Sequence, residues 1–277
     1  MRTESAVAGS ESSRSIFLLP HPDDEFGVYA EIEAARAAGR PVLCIFLTDG
    51  AAAGQSPERR NAESTAVLTK LGVDRSDIAF LGCRLGVPDG SLAKHLARVK
   101  AGAEAIIGAL APGERLYMPA WEGGHQDHDA AHLLGLSIAG ERRSAAFQFP
   151  LYQGACLPGI LFRVLAPLPQ NGPVIARMIG WRSRVAYLRH CLSYPSQWKT
   201  WVGLLPFVLI EYVTDGSQRL QRVSSERVRE APHAGRLLYE RRGFCTWQEF
   251  EEATREFRAT IPCGPAMPAT SDGGKWR

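Results

Sequence analysis

The chain has 277 residues, 45% of them hydrophobic and 22% charged, and 32 basic against 29 acidic side chains leave a formal net charge of +3. That balance excludes global disorder, a charged interaction tail, and the clustered positive charge that an obligatory grip on nucleic acid needs. A chain this long can bury about three quarters of its unfolded surface in one core.

Residues 1–14 are polar and have no apolar stretch of the secretory type, so they are expected to form a disordered leader. Residues 15–261 are then expected to form one domain, and 262–277 a Pro/Gly-rich flexible tail. The cysteines at 44, 83, 156, 191, 245 and 263 form no C-x-x-C pair, the scatter of apolar or incidental thiols rather than of a zinc ribbon or disulfide framework. The longest apolar run, Trp201 to Val213, has 13 residues, and crossing a bilayer takes about 20. A cytoplasmic address is therefore expected.

In chain order, Ser15–Leu19 reads as a buried strand closed by Pro20, and Phe26–Ala38 as a helix stopped by Gly39. Val42–Leu47 follows as a second strand, Glu58–Leu71 as a helix, Ile78–Leu81 as a third strand and Leu92–Leu110 as a long helix. Leu116–Pro119 is the fourth strand, and Asp129–Ile138 the helix after it. Apolar strands alternating with helices predict an α/β fold with a mostly parallel sheet flanked by helices. Beyond residue 145 the pattern loosens: Phe147–Tyr152 and Phe207–Val213 read as strands, and Trp181–Leu192 and Trp247–Phe257 as helices. The arginine-rich stretch Arg219–Arg242 also carries acidic residues and reads as a solvated face.

Directly after the first strand comes His21-Pro22-Asp23-Asp24-Glu25. Functional groups of a parallel sheet gather at the carboxyl ends of its strands. A dinucleotide site would need glycines there, and three carboxylates would repel a phosphate. A histidine and a carboxylate three residues apart can instead converge on one divalent cation. A further ligand can come from the loop after the fourth strand, Gly123-Gly124-His125-Gln126-Asp127-His128. Three such ligands and an open position describe a catalytic zinc site, and no cysteine is near to close a structural one.

These two motifs, in this order and after these strands, resemble the PIG-L/LmbE family of zinc-dependent N-acetylglucosaminyl deacetylases. Thr48-Asp49-Gly50, Arg60 with Glu63, and Val87-Pro88-Asp89-Gly90 extend the resemblance across residues 15–150. It implies a Rossmann-like LmbE-type fold with a variable, pocket-shaping C-terminal part over 151–261. It implies Zn2+ held by His21, Asp24 and His128, with Asp23 as general base. His125 would be the cationic group that meets the tetrahedral intermediate, with Asp127 fixing its ring and favouring its protonated form. Glu25 would stand behind the site. Arg60 and Asp89 are candidates for substrate contacts, against the alternatives of a helix charge pair with Glu63 and a turn aspartate. His132, four residues beyond His128, is read as packing beside the site.

The implied substrate is an amino-sugar conjugate, lipid-linked or not. Two other readings stay open: a metal-dependent amidase for a non-sugar amide, and a catalytically silent carbohydrate-binding protein. The apolar stretches Leu157–Leu165 and Trp201–Val213 are read as core packing, with an apolar lip for a membrane or a lipid-linked sugar as the alternative. Ser196-Gln197 is assigned no role, and the oligomeric state is left open.

Overall fold

A computed structural model of the chain describes residues 13–51, 54–109, 111, 113–142 and 145–262, without the side chains of 141 and 142. Most of the expected leader, the expected tail from 263 with Cys263, and Leu110 lie outside the described residues.

The elements begin with β1 (Ser15–Leu19), a short 3-10 turn over Asp24–Gly27, α1 (Tyr29–Ala37), β2 (Val42–Phe46) and α2 (Pro57–Lys70). There follow β3 (Ile78–Phe80), α3 (Leu81–Leu85), α4 (Leu96–Ile107), β4 (Arg115–Pro119) and α5 (Gln126–Arg142). The second half holds β5 (Ala145–Phe149), β6 (Tyr152–Gln153), β7 (Arg163–Val164), β8 (Val174–Met178), α6 (Trp181–Cys191) and α7 (Trp198–Thr214). It closes with β9 (Ser217–Arg222), α8 (Leu238–Arg241) and α9 (Trp247–Ala259).

Seven strands form one sheet in the order β3-β2-β1-β4-β5-β9-β8. The first five run parallel. β9 is antiparallel to β5, and β8 to β9. β1 explains why its run is apolar without a break. Phe17 and Leu19 enter one core layer, with α1, α6 and α7, while Ile16 and Leu18 enter the other, with α4, α5 and α9. Both faces of the strand are covered, so its run from Ile16 to Leu19 is apolar throughout. The chain winds outward in opposite directions from β1 and β4, which makes the crevice at their carboxyl ends the switch point where α/β sheets hold ligands.

The expected order of strands and helices through β5 is present, and the mostly parallel α/β architecture with it. The expected first helix is split, because Asp24–Gly27 adopts a 3-10 turn before α1. The expected strand Phe207–Val213 is instead the last half of α7. Its apolar run hides the helical period, because both the buried and the outward face of the helix are apolar. Arg219–Arg242 is not a solvated face throughout. Leu220 and Gln221 on β9 are buried, as are Leu237, Leu238 and Tyr239. The sequence reading missed β8, β9, α3 and α8 altogether.

Candidate active site

The β1 turn is held in an unusual shape. Asp23 has φ 116°, a left-handed conformation that disfavours side chains and collects at functional sites. What holds it is local. The Asp23 N–H donates to Glu25 Oε2 at 2.9 Å, and Tyr194 donates to the other oxygen of Glu25 at 2.8 Å. Glu25 is fully buried and thus braces the turn from behind. On the open side, Arg60 of α2 donates to the Pro22 carbonyl and to Asp23 Oδ1, the latter at 3.1 Å. Gly50 makes room for that guanidinium: a Cβ there would lie 2.4 Å from Pro22 Cδ and 3.1 Å from Arg60 Nη1.

The loop after β4 is braced in the same way. Asp129 accepts the Glu122 and Gly123 N–H groups at 3.2 and 3.1 Å. Glu122 accepts those of Leu151 and Tyr152, both at 2.9 Å. A Cβ on Gly124 would sit 1.9 Å from the Tyr152 carbonyl oxygen, so only glycine lets the loop pass so close. The result sets His125 just before α5 and His128 in its first turn, with the Tyr152 ring edge-on to His128 at 5.1 Å.

The two loops meet at Asp24. Its Oδ2 lies 3.0 Å from His21 Nδ1, and its Oδ1 lies 3.2 Å from His128 Nε2. Nitrogens of His21, His125 and His128 lie within 4.8 Å of one another. So do Nε2 of His21 and carboxylate oxygens of Asp89 and Asp127, at 3.2 and 3.0 Å from that nitrogen.

Burial alone would pull the His21 imidazole down, but Asp89, Asp24 and the Asp127 carboxylate outweigh it and hold its pKa well above the usual histidine value. Burial would raise Asp24, and its two histidine neighbours drive it well below the carboxylate range instead. Asp23 goes the other way: burial pushes it up, and Arg60 only partly pulls it back. His125 is brought down to about 4 by burial, with the charge on His21 adding to it. Burial therefore favours the neutral form of the His125 ring over the cationic form expected from the sequence. The negative charge of Asp127 favours the protonated ring but is outweighed. The Asp127 carboxylate accepts from Gly90 N–H at 2.6 Å and Leu92 N–H at 3.0 Å and faces His21. Only its backbone N–H reaches His125, donating to Nδ1 at 3.2 Å. Because Nδ1 accepts, the ring proton sits on Nε2.

These donors suit a divalent cation. His128 is fully buried, yet Nδ1 has no hydrogen-bond partner and Nε2 has only the Asp24 carboxylate oxygen 3.2 Å away. A buried polar atom left without a partner is costly. The carboxylates of Asp24, Asp89 and Asp127 surround His21 and add anionic oxygen donors to the imidazoles. Two imidazoles and a carboxylate are the ligand types of catalytic zinc.

Arg60 is buried and turned onto Asp23 rather than into open space. Asp89 is the partly open member of the cluster, its side chain one-quarter exposed and 3.9 Å from His125 Nε2. Its carboxyl is held below its usual range by His21, His125 and Arg60 against the effect of burial. His132 turns away, its Nδ1 2.8 Å from the Pro119 carbonyl and its ring beside Trp121. Ser196 bonds Glu63 through its N–H and hydroxyl, and Gln197 donates to Gln55. The sequence reading missed Tyr152, Phe244 against His125, Tyr194 and Glu122. Glu122 directly precedes the Gly123–His128 motif and could have been read with it, whereas Tyr152, Tyr194 and Phe244 reach the site only through the tertiary fold.

Residues 16–139 match the family model described as PIG-L: GlcNAc-PI de-N-acetylase. The chain is similar to the solved structure of a deacetylase of the teicoplanin biosynthetic pathway, with TM-score 0.55 and 20% identity over 76% of this chain and 98% of that one. It is similar to the conserved protein TT1542 from Thermus thermophilus, with TM-score 0.55 and 20% identity over 76% of this chain and 94% of that one. It is also similar to N,N'-diacetylchitobiose deacetylase from Pyrococcus horikoshii, with TM-score 0.54 and 16% identity over 77% and 84%. At these identities the structural likeness establishes the fold. No curated protein sequence matches the chain significantly.

Proposed function

Because residues 16–139 are a PIG-L family domain, we propose that this protein is a zinc-dependent hydrolase that removes the N-acetyl group from an N-acetylglucosamine-containing conjugate. The observation that carries the reading is the junction of His21, Asp24 and His128 at the sheet's switch point, with Asp23 held beside it by Arg60. Solved deacetylases of similar fold include one of the teicoplanin biosynthetic pathway, which has a zinc-inhibited form, and N,N'-diacetylchitobiose deacetylase.

His21, Asp24 and His128 would hold the metal. The alternative set of His21, Asp89 and Asp127 fits less well, because the Asp127 oxygens already accept two backbone N–H groups. The His128 ring, with its Nδ1 unpartnered, has no place in that alternative set. When bound, a zinc ion there supplies Lewis acidity, polarising the amide carbonyl and lowering the pKa of water to about 7.

Asp23 takes the proton from the attacking water. Burial has moved its pKa upward, toward the range where a general base works at neutral pH, and Arg60 keeps its carboxylate aimed. The same carboxyl then returns the proton to the departing amine nitrogen. His125 acts as a neutral donor: with Nδ1 occupied by the Asp127 N–H, its Nε2–H points its hydrogen bond at the oxyanion that develops on the carbonyl. The partly open Asp89 carboxylate accepts from substrate hydroxyl groups. Phe244 and Tyr152 supply apolar walls.

Primary-amine release from a panel of N-acetylglucosamine conjugates, with metal-replete and chelator-stripped protein, tests this reading. Metal-dependent release from any member supports it. Zinc bound with no release from the whole panel overturns it in favour of another amide or a binding role.

A further inference from the structure

A hairpin of two helices on the C-terminal half carries an apolar surface that nothing in the described chain covers. α7 buries Trp201, Leu204, Val208 and Tyr212 at helical spacing. That face accounts for its docking onto the core. Its opposite face, Trp198, Val202, Pro206, Leu209 and Val213, recurs at intervals of three and four residues and is apolar as well. Trp198 is 60% exposed, Val202 68% and Ile210, beside this stripe, 56%. A helix that is apolar all round belongs inside a core or against lipid. α7 packs antiparallel to α6, with Tyr187 against Tyr212 at one end and Tyr194 stacked on Trp201 at the other. α6 adds exposed Trp181, Val185 and Leu192.

The unpaired charges on this hairpin are cationic. Arg182, Arg189 and Lys199 are exposed beside the apolar residues. α6 has no acidic residue, and Glu211, the only one on α7, is paired with Arg219. Exposed tryptophans beside cations are the composition of a helix that lies in the headgroup region of a bilayer. The 17 residues of α7 are too short to cross one, and among the described residues no helix is long and apolar enough to do so.

The apolar surface also leads to the site. Tyr152, beside His128, packs on Phe162, and Phe162 packs on Phe207 of α7 at 5.0 Å. Ile160 and Leu161 stand exposed on the same connecting loop.

We propose that the α6–α7 hairpin is a membrane-docking surface that lays this face into an anionic lipid bilayer. A second copy of the chain is the poorer occupant. A two-fold interface would bring together two patches that both carry Arg182, Arg189 and Lys199, with no exposed anion on either helix to pair them. An anionic surface gains from each of them, by about fivefold in binding per cation. The inference goes beyond the deacetylase reading and stands independently of it, since its test has no catalytic readout.

The test is sedimentation of the full chain with phosphatidylcholine vesicles, with and without phosphatidylglycerol. The comparison is with V202D/L209D, whose positions face outward and whose fold is checked by circular dichroism. A second variant, R182S/R189S/K199S, keeps the apolar face. The expected result is binding to the anionic vesicles at least tenfold tighter than to neutral ones. Salt and the triple variant should weaken it, and V202D/L209D should lose it by tenfold or more. Wild-type protein that stays in the supernatant with both vesicle types overturns the proposal. So does undiminished binding by folded V202D/L209D. Equal binding to neutral vesicles overturns the anionic assignment. A dimer in sedimentation velocity that V202D/L209D dissociates, without vesicle binding, would make a second copy the occupant.

Discussion

Replacing Arg60 by methionine separates its contact with the base from the substrate contact suggested by the sequence. The guanidinium is buried and lies 3.1 Å from Asp23 Oδ1. Two unit charges about 4 Å apart at an effective dielectric of about 20 interact by about 4 kcal/mol, equivalent to about three pH units in the partner's titration. Water entering the vacated space recovers part of that, so a rise of one to two pH units is the reasonable size. Asp23 must be ionised to accept a proton, and activity falls as pH drops through its pKa. In Arg60→Met the acid limb of kcat/KM should therefore move upward by at least about one pH unit. Activity at pH 7 should fall by about 10- to 100-fold, and Arg60→Lys should restore part of both. The assay is the pH profile of amine release on whichever conjugate the wild type cleaves. An unchanged acid limb with a raised KM would refute this reasoning and make Arg60 a substrate contact.

Three further outcomes are expected. His128→Ala should lose most bound zinc, read as metal per chain after dialysis; undiminished zinc would move the site to the other donor set. Gly124→Ala should lower Tm sharply or prevent folding, because its Cβ would meet the Tyr152 carbonyl at 1.9 Å; an unchanged Tm would mean that the loop relaxes freely. Burial lowers His132 from the ordinary histidine value to about 4. A depressed histidine leaves stability complete above the unfolded value of about 6.5, and it is lost as pH falls from there to about 4. That amounts to about 3 kcal/mol. Urea unfolding of the metal-free protein across this range should show a shallower acid loss in His132→Gln; equal slopes would refute the assignment.

The parallel half of the fold was legible because β1, β2 and β4 are apolar runs covered on both faces, each closed by a turn or helix signal. The site was legible for a related reason: strand ends are where such sheets place function, and both motifs follow strands. The antiparallel half was hidden by its polarity. Gln218 and Gln221 on β9 are buried, but they satisfy their amides on the carbonyls of Gly27, Leu168 and Gly172. A sequence reads such glutamines as solvent-facing. α7 failed in the opposite sense, since a helix apolar on both faces shows no period. Asp127 shows the limit for single residues. Its neighbour in sequence is His125, but the loop through Gly90 and Leu92 claims its carboxylate, and no local pattern encodes that meeting.

The most direct measurement of the central reading is amine release by wild type and Asp23→Asn, each with and without chelator, with bound zinc counted in parallel. The expected result is metal-dependent release by the wild type and a loss of about 10²-fold or more in Asp23→Asn, which still binds zinc, in line with the usual worth of about 10²–10⁴ for a positioned base. Full activity in Asp23→Asn, or release that survives removal of the metal, would contradict it.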